Sequence, residues 1–199
     1  MGRKIIKIAS LFLFLLLLLL LASRLAGYRV MKYPVDAGKS MSPTVTPGDY
    51  WLCRMKRGYA SNELRPRTVV LFPKEGRKFL LTKRIIAVEN ETIEVRGRET
   101  VIDGKRIEES YAYYSGESPS GINSPHRNQA VTAVEIPPGK LFVMGDNRDD
   151  SFDSRDPEFG LVDVRDIVGK PILILWAKDK SRIGRSMRSL SVTPPRIPK

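Results

Sequence analysis

The stretch FLLTKRIIAV, residues 79–88, is typical of a β-strand because it is rich in Ile, Leu and Val and is bounded by polar segments. Asp103-Gly104 lies between two such runs and indicates a hairpin, since a type I′ turn needs positive φ at both central residues. No long amphipathic helical pattern occurs beyond the N-terminal segment. We therefore predict a mainly β fold. The further strand-like runs are TVVLF (68–72), TIEVRG (92–97), TVIDGKRI (100–107), AVTAVEI (130–136), KLFVMG (140–145) and IVGKPILILW (167–176).

Lys83 lies in the middle of this first stretch, where strand alternation places it on one face with Leu81 and Ile85. An amine between apolar neighbours loses hydration, so its pKa falls and the neutral form becomes available near neutral pH. A neutral amine can act as a general base. The alternative is an ordinary lysine whose stem extends out of the sheet to solvent.

The stretch KSMSPTVTPGDYWL, residues 39–52, places Ser40 just ahead of a proline and a Gly-Asp turn. A serine hydroxyl becomes a good nucleophile only when a neighbour accepts its proton. His126 is the only histidine, and it lies in the loop-like SGINSPHRN, where we expect it to be exposed to solvent. Ser40 with Lys83 forms a plausible dyad, whereas a Ser-His-Asp triad would have to use His126.

The stretch MGDNRDDSFDSRDPEFG, residues 144–160, is too polar for a core strand. In an extended conformation it would place Ser151, Asp153 and Arg155 on one side, where a hydroxyl can orient an amine and an Asp-Arg pair can hold the loop. The alternatives are a plain acidic turn and a calcium loop. An EF-hand requires Gly and Glu where this segment has Ser151 and Pro157, so we expect no metal and no other cofactor.

The N-terminal segment contains fifteen uncharged residues from Ile8 to Ala22. With Lys7 and Arg24 extending to the two interfaces, the segment is long enough for one membrane-spanning helix. A cleavable secretory signal is the alternative. The segment LASRLAG carries an arginine where a cleavage site needs a small residue, so we predict that residues 1–27 form a cytoplasmic stub and an uncleaved anchor.

The formal net charge is +12, but residues 178–199 alone hold seven basic residues and one acidic residue. We predict that this tail is disordered and binds nothing; the alternative is that it binds anionic lipid headgroups. We expect no nucleic-acid partner. Cys53 is the only cysteine, so an intrachain disulfide is impossible, and we expect it to be buried. The remaining residues 28–177 are predicted to form one β-rich catalytic domain, with residues 108–130 as a long loop or small inserted lobe.

The segments GKSMSPT, TKRIIAV and GDNRDDSFDSR together resemble the type I signal peptidases, peptidase family S26, which are membrane-anchored serine proteases that remove leader peptides from exported proteins. They occur in the family's order, with GDYWL and IDGKRIEESY matching the segments between them. The resemblance spans residues 34–176. It implies an antiparallel β-sheet catalytic domain of the signal-peptidase type behind one N-terminal transmembrane helix.

The resemblance also implies the role of each matched residue. Ser40 becomes the nucleophile, with its backbone N–H as one oxyanion donor, and Lys83 becomes the general base. The second oxyanion donor stays open, because this chain has Gly38 where some members have a serine. The implied supporting residues are Ser151, Asp153, Arg155 and Gly145. The implied substrate-binding residues, in shallow apolar pockets, are Met41, Val45, Leu81 and Thr82.

The implied substrates are precursor proteins whose leaders carry small residues at positions −1 and −3 of the cleavage site, typically Ala-x-Ala. A leader would add as a β-strand beside the segment leading to Lys83. The second implied partner is the phospholipid bilayer of the bacterial cell membrane, crossed once with the N-terminus in the cytoplasm and the β domain outside. Residual apolar surface around Met41 and Trp51 is expected to touch lipid. The rivals are a narrower Ser-Lys maturation peptidase, an autoproteolytic repressor and a non-enzymatic membrane adaptor.

Overall fold

A computed structural model describes residues 2–114 and 130–187 of the chain. These residues form one α-helix, α1 (Gly2–Leu25), and a series of β-strands joined by turns and short 3₁₀ segments. The strands are β1 (Tyr28–Lys32), β2 (Tyr50–Met55), β3 (Val69–Phe72), β4 (Leu81–Val88), β5 (Thr92–Arg96), β6 (Glu99–Ile102), β7 (Lys105–Arg106), β8 (Val131–Glu135), β9 (Lys140–Met144), β10 (Val162–Asp163) and β11 (Gly169–Trp176).

The strands form two antiparallel sheets. The larger sheet has seven strands in the order β1-β2-β11-β3-β4-β9-β10, and the smaller one has four in the order β7-β6-β5-β8. The smaller sheet is inserted in the chain between β4 and β9, which are neighbours in the larger sheet. The predicted mainly antiparallel β fold is therefore confirmed.

The strand β4 is an interior strand of the larger sheet and carries apolar clusters on both faces. Ile85 packs in one cluster with Val70 and Val143, and Ile86 packs in another with Phe142. All residues from Thr82 to Ala87 are buried. A central strand that is covered on both faces is rigid, so it can hold a polar side chain at a fixed place.

The strand-like runs predicted from the sequence coincide with β3 to β9 and β11, within two residues at their ends. The predicted hairpin also forms, since φ is +49° at Asp103 and +74° at Gly104. The sequence did not lead us to predict β1 or β2, although buried and more exposed residues alternate in β2 from Tyr50 to Arg54. The edge strand β1 is largely exposed, so its sequence carries little of the apolar signal.

The predicted domain boundary at residue 177 needs one correction. Residues 178–187 are folded against the domain, with Arg182 and Met187 buried, because both side chains find partners there. The rest of the basic tail, from 188 to 199, lies outside the described residues. The same holds for His126 and for most of the predicted loop, since residues 115–129 are not described. The part of that loop before residue 115 connects back to the domain through Tyr113, which pairs with Asn147.

The helix α1 has the properties predicted for a membrane anchor. Its segment Ile5–Leu25 has 21 residues and a mean hydropathy of 2.9, and none of it is buried against the rest of the protein. That length is enough to cross the hydrocarbon core of a bilayer. Only two residues separate its end from β1, so the β-sheet region begins where the apolar helix stops.

Candidate active site

Lys83 lies within β4, between the neighbouring strands β3 and β9. Only 3% of its surface is exposed. Burial lowers the pKa of Lys83 from 10.5 to about 8, and the nearby Asp153 carboxylate opposes this decrease. A substantial fraction of the amine is therefore neutral near physiological pH, which is the state that a general base requires.

The Ser151 hydroxyl connects Lys83 with an acidic group. Lys83 Nζ donates a hydrogen bond to Ser151 Oγ at 2.9 Å, and Ser151 Oγ donates to Asp153 Oδ2 at 2.6 Å. A hydroxyl has one proton, so its donation to Asp153 makes it an acceptor toward the amine. A neutral amine that donates an N–H to Ser151 keeps its lone pair directed elsewhere. The arrangement thus orients the lone pair of Lys83.

The Asp153 carboxylate is held in turn by Arg155 and by the backbone. Arg155 Nε and Nη2 donate to the two carboxylate oxygens at 2.8 and 3.0 Å, and Gly145 N donates at 2.9 Å. Burial alone would raise the pKa of Asp153, but Arg155, Lys83 and the Ser151 hydroxyl together outweigh burial and hold that pKa below its usual value. A carboxylate that stays ionised keeps the Ser151 hydroxyl in one orientation.

The three polar residues do not meet by strand alternation. The segment after β9 forms successive turns, in which Asp150 N donates to Asn147 O and Asp156 N donates to Asp153 O. The extended conformation considered for this segment is therefore wrong, although the grouping of Ser151, Asp153 and Arg155 is present. Their short sequence separation brings them together through hydrogen bonds within the turns.

Ser40 lies on the loop between β1 and β2, directly beside this cluster. Its carbonyl oxygen accepts a hydrogen bond from Asn147 N at 3.0 Å. Gly145 is the close-approach residue: a methyl group added there would overlap the Ser40 carbonyl oxygen and Ser151 Oγ, and would lie 2.6 Å from Ser151 Cβ. The backbone at Ser40 and the hydroxyl that binds Lys83 are thus both in contact with Gly145.

A second buried network joins the Ser40 loop to β4 from the opposite face. Arg84 Nε and Nη2 donate to the two oxygens of Asp146 at 2.7 and 2.6 Å. Thr44 Oγ1 donates to Asp146 Oδ2 at 2.5 Å. Adjacent residues of one strand therefore serve the two networks: Lys83 contacts the turn segment on one face, and Arg84 holds the Ser40 loop on the other.

The hydroxyl of Ser40 has a partner that the sequence did not suggest. That partner is Tyr33: burial raises the pKa of Tyr33 to about 12, and the nearby Ser40 side chain opposes this rise. Among the described residues, no direct hydrogen bond joins Ser40 to Lys83, whose described hydrogen bond goes to Ser151. Hydrogen bonds between catalytic groups are often long in ligand-free enzymes and tighten when substrate binds.

The four predicted pocket residues differ in exposure. Met41 and Val45 are 0% and 1% exposed, in one cluster with Trp51, so they lie behind the surface of the site. Thr82 is buried with no described hydrogen-bond partner for its hydroxyl, and Leu81 is half-buried. The expected lipid contact around Met41 and Trp51 is wrong, because both side chains are buried.

Metal binding finds no support in the described residues, which contain no group of three His, Cys, Asp or Glu side chains that could hold an ion. In the segment considered for a calcium loop, the carboxylates of Asp146 and Asp153 form ion pairs with Arg84 and Arg155. Cys53 is buried as predicted, and burial raises the pKa of its thiol to about 12.

Comparison with known proteins gives this arrangement a family. Residues 6–176 match the family model described as signal peptidase, peptidase S26. Signal peptidase I P of Bacillus subtilis subsp. natto is 32% identical over 152 residues, which cover 73% of this chain and 77% of that protein. Signal peptidase I U of Bacillus subtilis strain 168 is 30% identical over 177 residues, covering 87% and 89%.

A crystal structure of a signal peptidase I from Enterococcus faecalis V583 is also similar, with 25% identity and a TM-score of 0.41, covering 58% of this chain and 98% of that one. The sequence matches define a serine-type peptidase, a hydrolase with one N-terminal apolar helix that fits a membrane anchor. The chain belongs to the signal peptidase family, S26. The resemblance inferred from the sequence is confirmed.

Sequence reasoning missed Tyr33 and the network of Thr44, Arg84 and Asp146. Arg84 carried a usable signal, since an arginine among apolar strand residues has to be paired with a carboxylate if it is buried. Tyr33 carried none, because a tyrosine before a proline is common in loops and its contact with Ser40 depends on how the loop folds back.

Proposed function

We propose that this protein is a membrane-bound serine endopeptidase that removes signal peptides after small-x-small sites, through an acyl-enzyme on Ser40 with Lys83 as general base. Membership of the signal peptidase family supports the removal of signal peptides from precursor proteins. The observation that carries the dyad is the buried amine of Lys83, which is oriented by Ser151, while Ser151 and the Ser40 backbone both lie against Gly145.

In the proposed reaction, neutral Lys83 takes the proton of the Ser40 hydroxyl as Ser40 Oγ attacks the carbonyl carbon of the scissile peptide bond. The resulting tetrahedral oxyanion collapses, and the ammonium of Lys83 gives its proton to the leaving amine. Lys83 then activates a water molecule that hydrolyses the ester on Ser40. Each half of the cycle returns Lys83 to the neutral state, so no metal or other cofactor is required.

The backbone N–H of Ser40 suits the role of oxyanion donor. In the described part of the chain it donates no hydrogen bond to a protein acceptor, so it is available to a substrate oxygen. Removal of one such donor in other enzymes costs roughly 3 kcal/mol of transition-state stabilisation. Gly38 has no side chain to supply a second donor, and its φ of +72° favours glycine at this position.

The substrate proposal rests on main-chain pairing and on small pockets. A leader in extended conformation would add beside the segment leading to Lys83, where Leu81 is the partly exposed pocket residue. Thr82, Met41 and Val45 would form the wall behind it. Closely packed side chains behind a pocket reject large residues by exclusion, which suits a preference for alanine.

The location proposal is a single-pass protein of the bacterial cell membrane, with the N-terminus in the cytoplasm and the β domain on the outer side, where leaders emerge. The apolar helix and the bacterial relatives support membrane anchoring. Exposed aromatic side chains on the larger sheet offer the lipid contact that Met41 and Trp51 do not. Trp176 is 46% exposed and packs edge-to-face on Tyr50, with Lys180 over its ring. Aromatic rings beside lysines favour the bilayer interface.

The cleavage specificity can be tested with the purified full-length enzyme in phospholipid vesicles. A precursor with an Ala-x-Ala site should be cut at one bond, directly after the second alanine, as mapped by mass spectrometry. Replacing the −1 alanine with leucine should reduce cleavage by at least about tenfold, since one misfit in a small pocket costs about 1 to 3 kcal/mol. The same change at −2 is the matched control and should have little effect.

Efficient cleavage of the −1 leucine precursor would contradict the small-x-small proposal. Cleavage of one precursor only, from a panel of unrelated leaders, would favour a narrower maturation peptidase. An enzyme that cuts no precursor at all, although folded, would contradict the proposed activity itself.

The identity of the base can be tested by the pH dependence of kcat/KM on a soluble Ala-x-Ala peptide. Because the pKa of Lys83 is lowered to about 8, the rate should rise with pH through about 8, as the protonated amine loses its proton. A histidine base would give a rise near pH 6.5 instead. His126→Ala should keep the rate within about threefold, as loop substitutions usually do. An acidic limb near pH 6.5 that vanishes in His126→Ala would contradict the role of Lys83.

A further inference from the structure

The segment from Lys178 to Met187 lies beyond the residues that match the family model, yet it is part of the folded domain. Gly184 N donates to Ile174 O, Ile174 N donates to Arg185 O, and Met187 N donates to Ile172 O. The segment therefore runs back along β11. We call these residues, 178–187, the C-terminal strap.

The strap ends in the core beneath the Ser40 loop. Met187 is 2% exposed and packs in the same cluster as Met41 and Val45. Its carbonyl oxygen accepts a hydrogen bond from Arg84 Nη1 at 3.1 Å. Arg84 is the neighbour of Lys83 in β4, so the end of the strap contacts the strand that carries the general base.

Arg182 is the strap's buried polar contact with the Ser40 loop. Its Nη1 and Nη2 donate to the two oxygens of Asp49 at 2.5 and 3.0 Å, and Nη2 also donates to Thr46 Oγ1 at 2.8 Å. The side chains of Arg182 and Asp49 are 9% and 2% exposed. A bidentate pair of this kind fixes distance and direction together, which a single charge does not.

Asp49 passes this constraint to the loop itself. Its Oδ2 accepts a hydrogen bond from Thr46 N at 2.8 Å, which closes the turn that follows the nucleophile. Val45 N in turn donates to Met41 O, directly after Ser40. A continuous series of contacts therefore runs from Arg182 to the backbone of the residue next to Ser40.

We infer that Arg182 is a positioning residue for catalysis: through Asp49 and Thr46 it holds the Ser40 loop at the distance from Lys83 that proton transfer requires. The inference rests on the proposed roles of Ser40 and Lys83. Arg182 touches neither substrate nor reacting atoms, so its loss should act on the geometry of attack. Misplacement of a reacting group by about 1 Å can cost about a hundredfold in rate.

The test compares Arg182→Gln with Arg185→Gln in the full-length enzyme, assayed on a soluble Ala-x-Ala peptide. Arg185 is the matched control, because it is an exposed arginine of the same strap and loses the same charge. Arg182→Gln should lower kcat by about 10- to 100-fold while KM stays within about threefold. The acidic limb of kcat/KM should keep its position, since Lys83 is untouched. Arg185→Gln should stay within about twofold of the parent.

Loss of folding is separated from loss of positioning by two further variants. Arg182→Lys keeps the charge without the planar fork and should recover kcat only in part. Asp49→Asn should lower kcat as Arg182→Gln does, and the double variant should be hardly worse than either, because all three break one contact. Activities are expressed per folded molecule, from near-ultraviolet circular dichroism at the assay temperature.

A kcat of Arg182→Gln within about twofold of the parent per folded molecule would overturn the inference, and so would strictly additive effects of Arg182→Gln and Asp49→Asn. Ser40→Ala, assayed in parallel, distinguishes a failure of the inference about Arg182 from a failure of the proposed function. If Ser40→Ala is inactive while Arg182→Gln is fully active, only the role of Arg182 fails. If Ser40→Ala is itself active, the proposed function fails first.

Discussion

Replacement of Ser40 with alanine is expected to abolish cleavage of an Ala-x-Ala peptide, with kcat falling by roughly 10⁴-fold or more, as observed when a covalent nucleophile is removed. Lys83→Ala should be equally inactive, because Ser40 is a weak nucleophile when no neighbour takes its proton. Lys83→Arg should not recover activity, since a guanidinium does not give up its proton. Purified full-length variants with a fluorogenic peptide provide the measurement.

The double variant Ser40→Ala/Lys83→Ala should be hardly worse than either single one, because the two side chains act as one unit. Ser42→Ala is the matched control for Ser40→Ala, because Ser42 lies two residues further along the same loop. Lys78→Ala is the matched control for Lys83→Ala, because Lys78 lies five residues before it in the sequence. The Ser42 hydroxyl is buried with no described hydrogen-bond partner, and Lys78 is exposed, so neither change should cost more than about twofold. More than about a tenth of the parent rate in Ser40→Ala would remove Ser40 from the role of nucleophile.

The burial of Lys83, the proposed general base, was the feature of the site that the sequence predicted best, and the reason is local. An apolar stretch with one lysine in it forces that lysine to be buried if the stretch becomes a central strand, and β4 is central. Burial then lowers the pKa of Lys83 without any knowledge of its neighbours. The hydrogen-bond partner of Lys83, the Ser151 hydroxyl, could not be predicted from this stretch alone, because Ser151 lies in the segment 144–160.

The contacts of Arg182 and Arg84 could not be predicted from the sequence, because they join distant parts of the chain. Arg182 meets Asp49 across 133 residues, and Arg84 meets Asp146 across 62. No spacing rule links such positions, and the basic tail that contains Arg182 has the composition of a disordered end. The strap folds because Met187 is buried and Arg182 finds a carboxylate, and both are properties of the surface it meets rather than of the strap itself.

At Gly145, too, the sequence motif did not predict which distant residues come into contact. The resemblance to the signal peptidases implied a close approach there, but not which atoms approach. In the structure those atoms belong to Ser40 and Ser151, which lie on different loops. A glycine is required for space rather than for conformation, because Gly145 does not have a positive φ.

Gly145→Ala is therefore expected to be the most damaging change outside the dyad. The added methyl group would overlap the Ser40 carbonyl oxygen, which is backbone, and Ser151 Oγ; rotating that hydroxyl would not relieve the overlap, since Ser151 Cβ would also lie only 2.6 Å away. One of the two loops has to move, which displaces either Ser40, the proposed nucleophile, or the Ser151 hydroxyl that binds Lys83. With reacting groups misplaced by about 1 Å, kcat should fall by about a hundredfold or more. Steady-state kinetics on the soluble peptide, with thermal unfolding in parallel, provide the measurement.

Gly97→Ala is the control for Gly145→Ala, because Gly97 has a positive φ and free space around it, whereas Gly145 has no positive φ and close neighbours. Its φ of +60° makes an alanine strained, yet nothing lies within 4 Å of the added methyl group. We expect Gly97→Ala to lower the free energy of unfolding by about 1 kcal/mol and to leave kcat unchanged, since the cost is conformational and remote from the site. Gly145→Ala should instead lose kcat far beyond any loss of folded protein. If Gly145→Ala kept more than about a third of the parent activity, Ser40 and Ser151 could not both be as near to Gly145 as the structure has them, and the orientation of Lys83 toward Ser40 would lose its support.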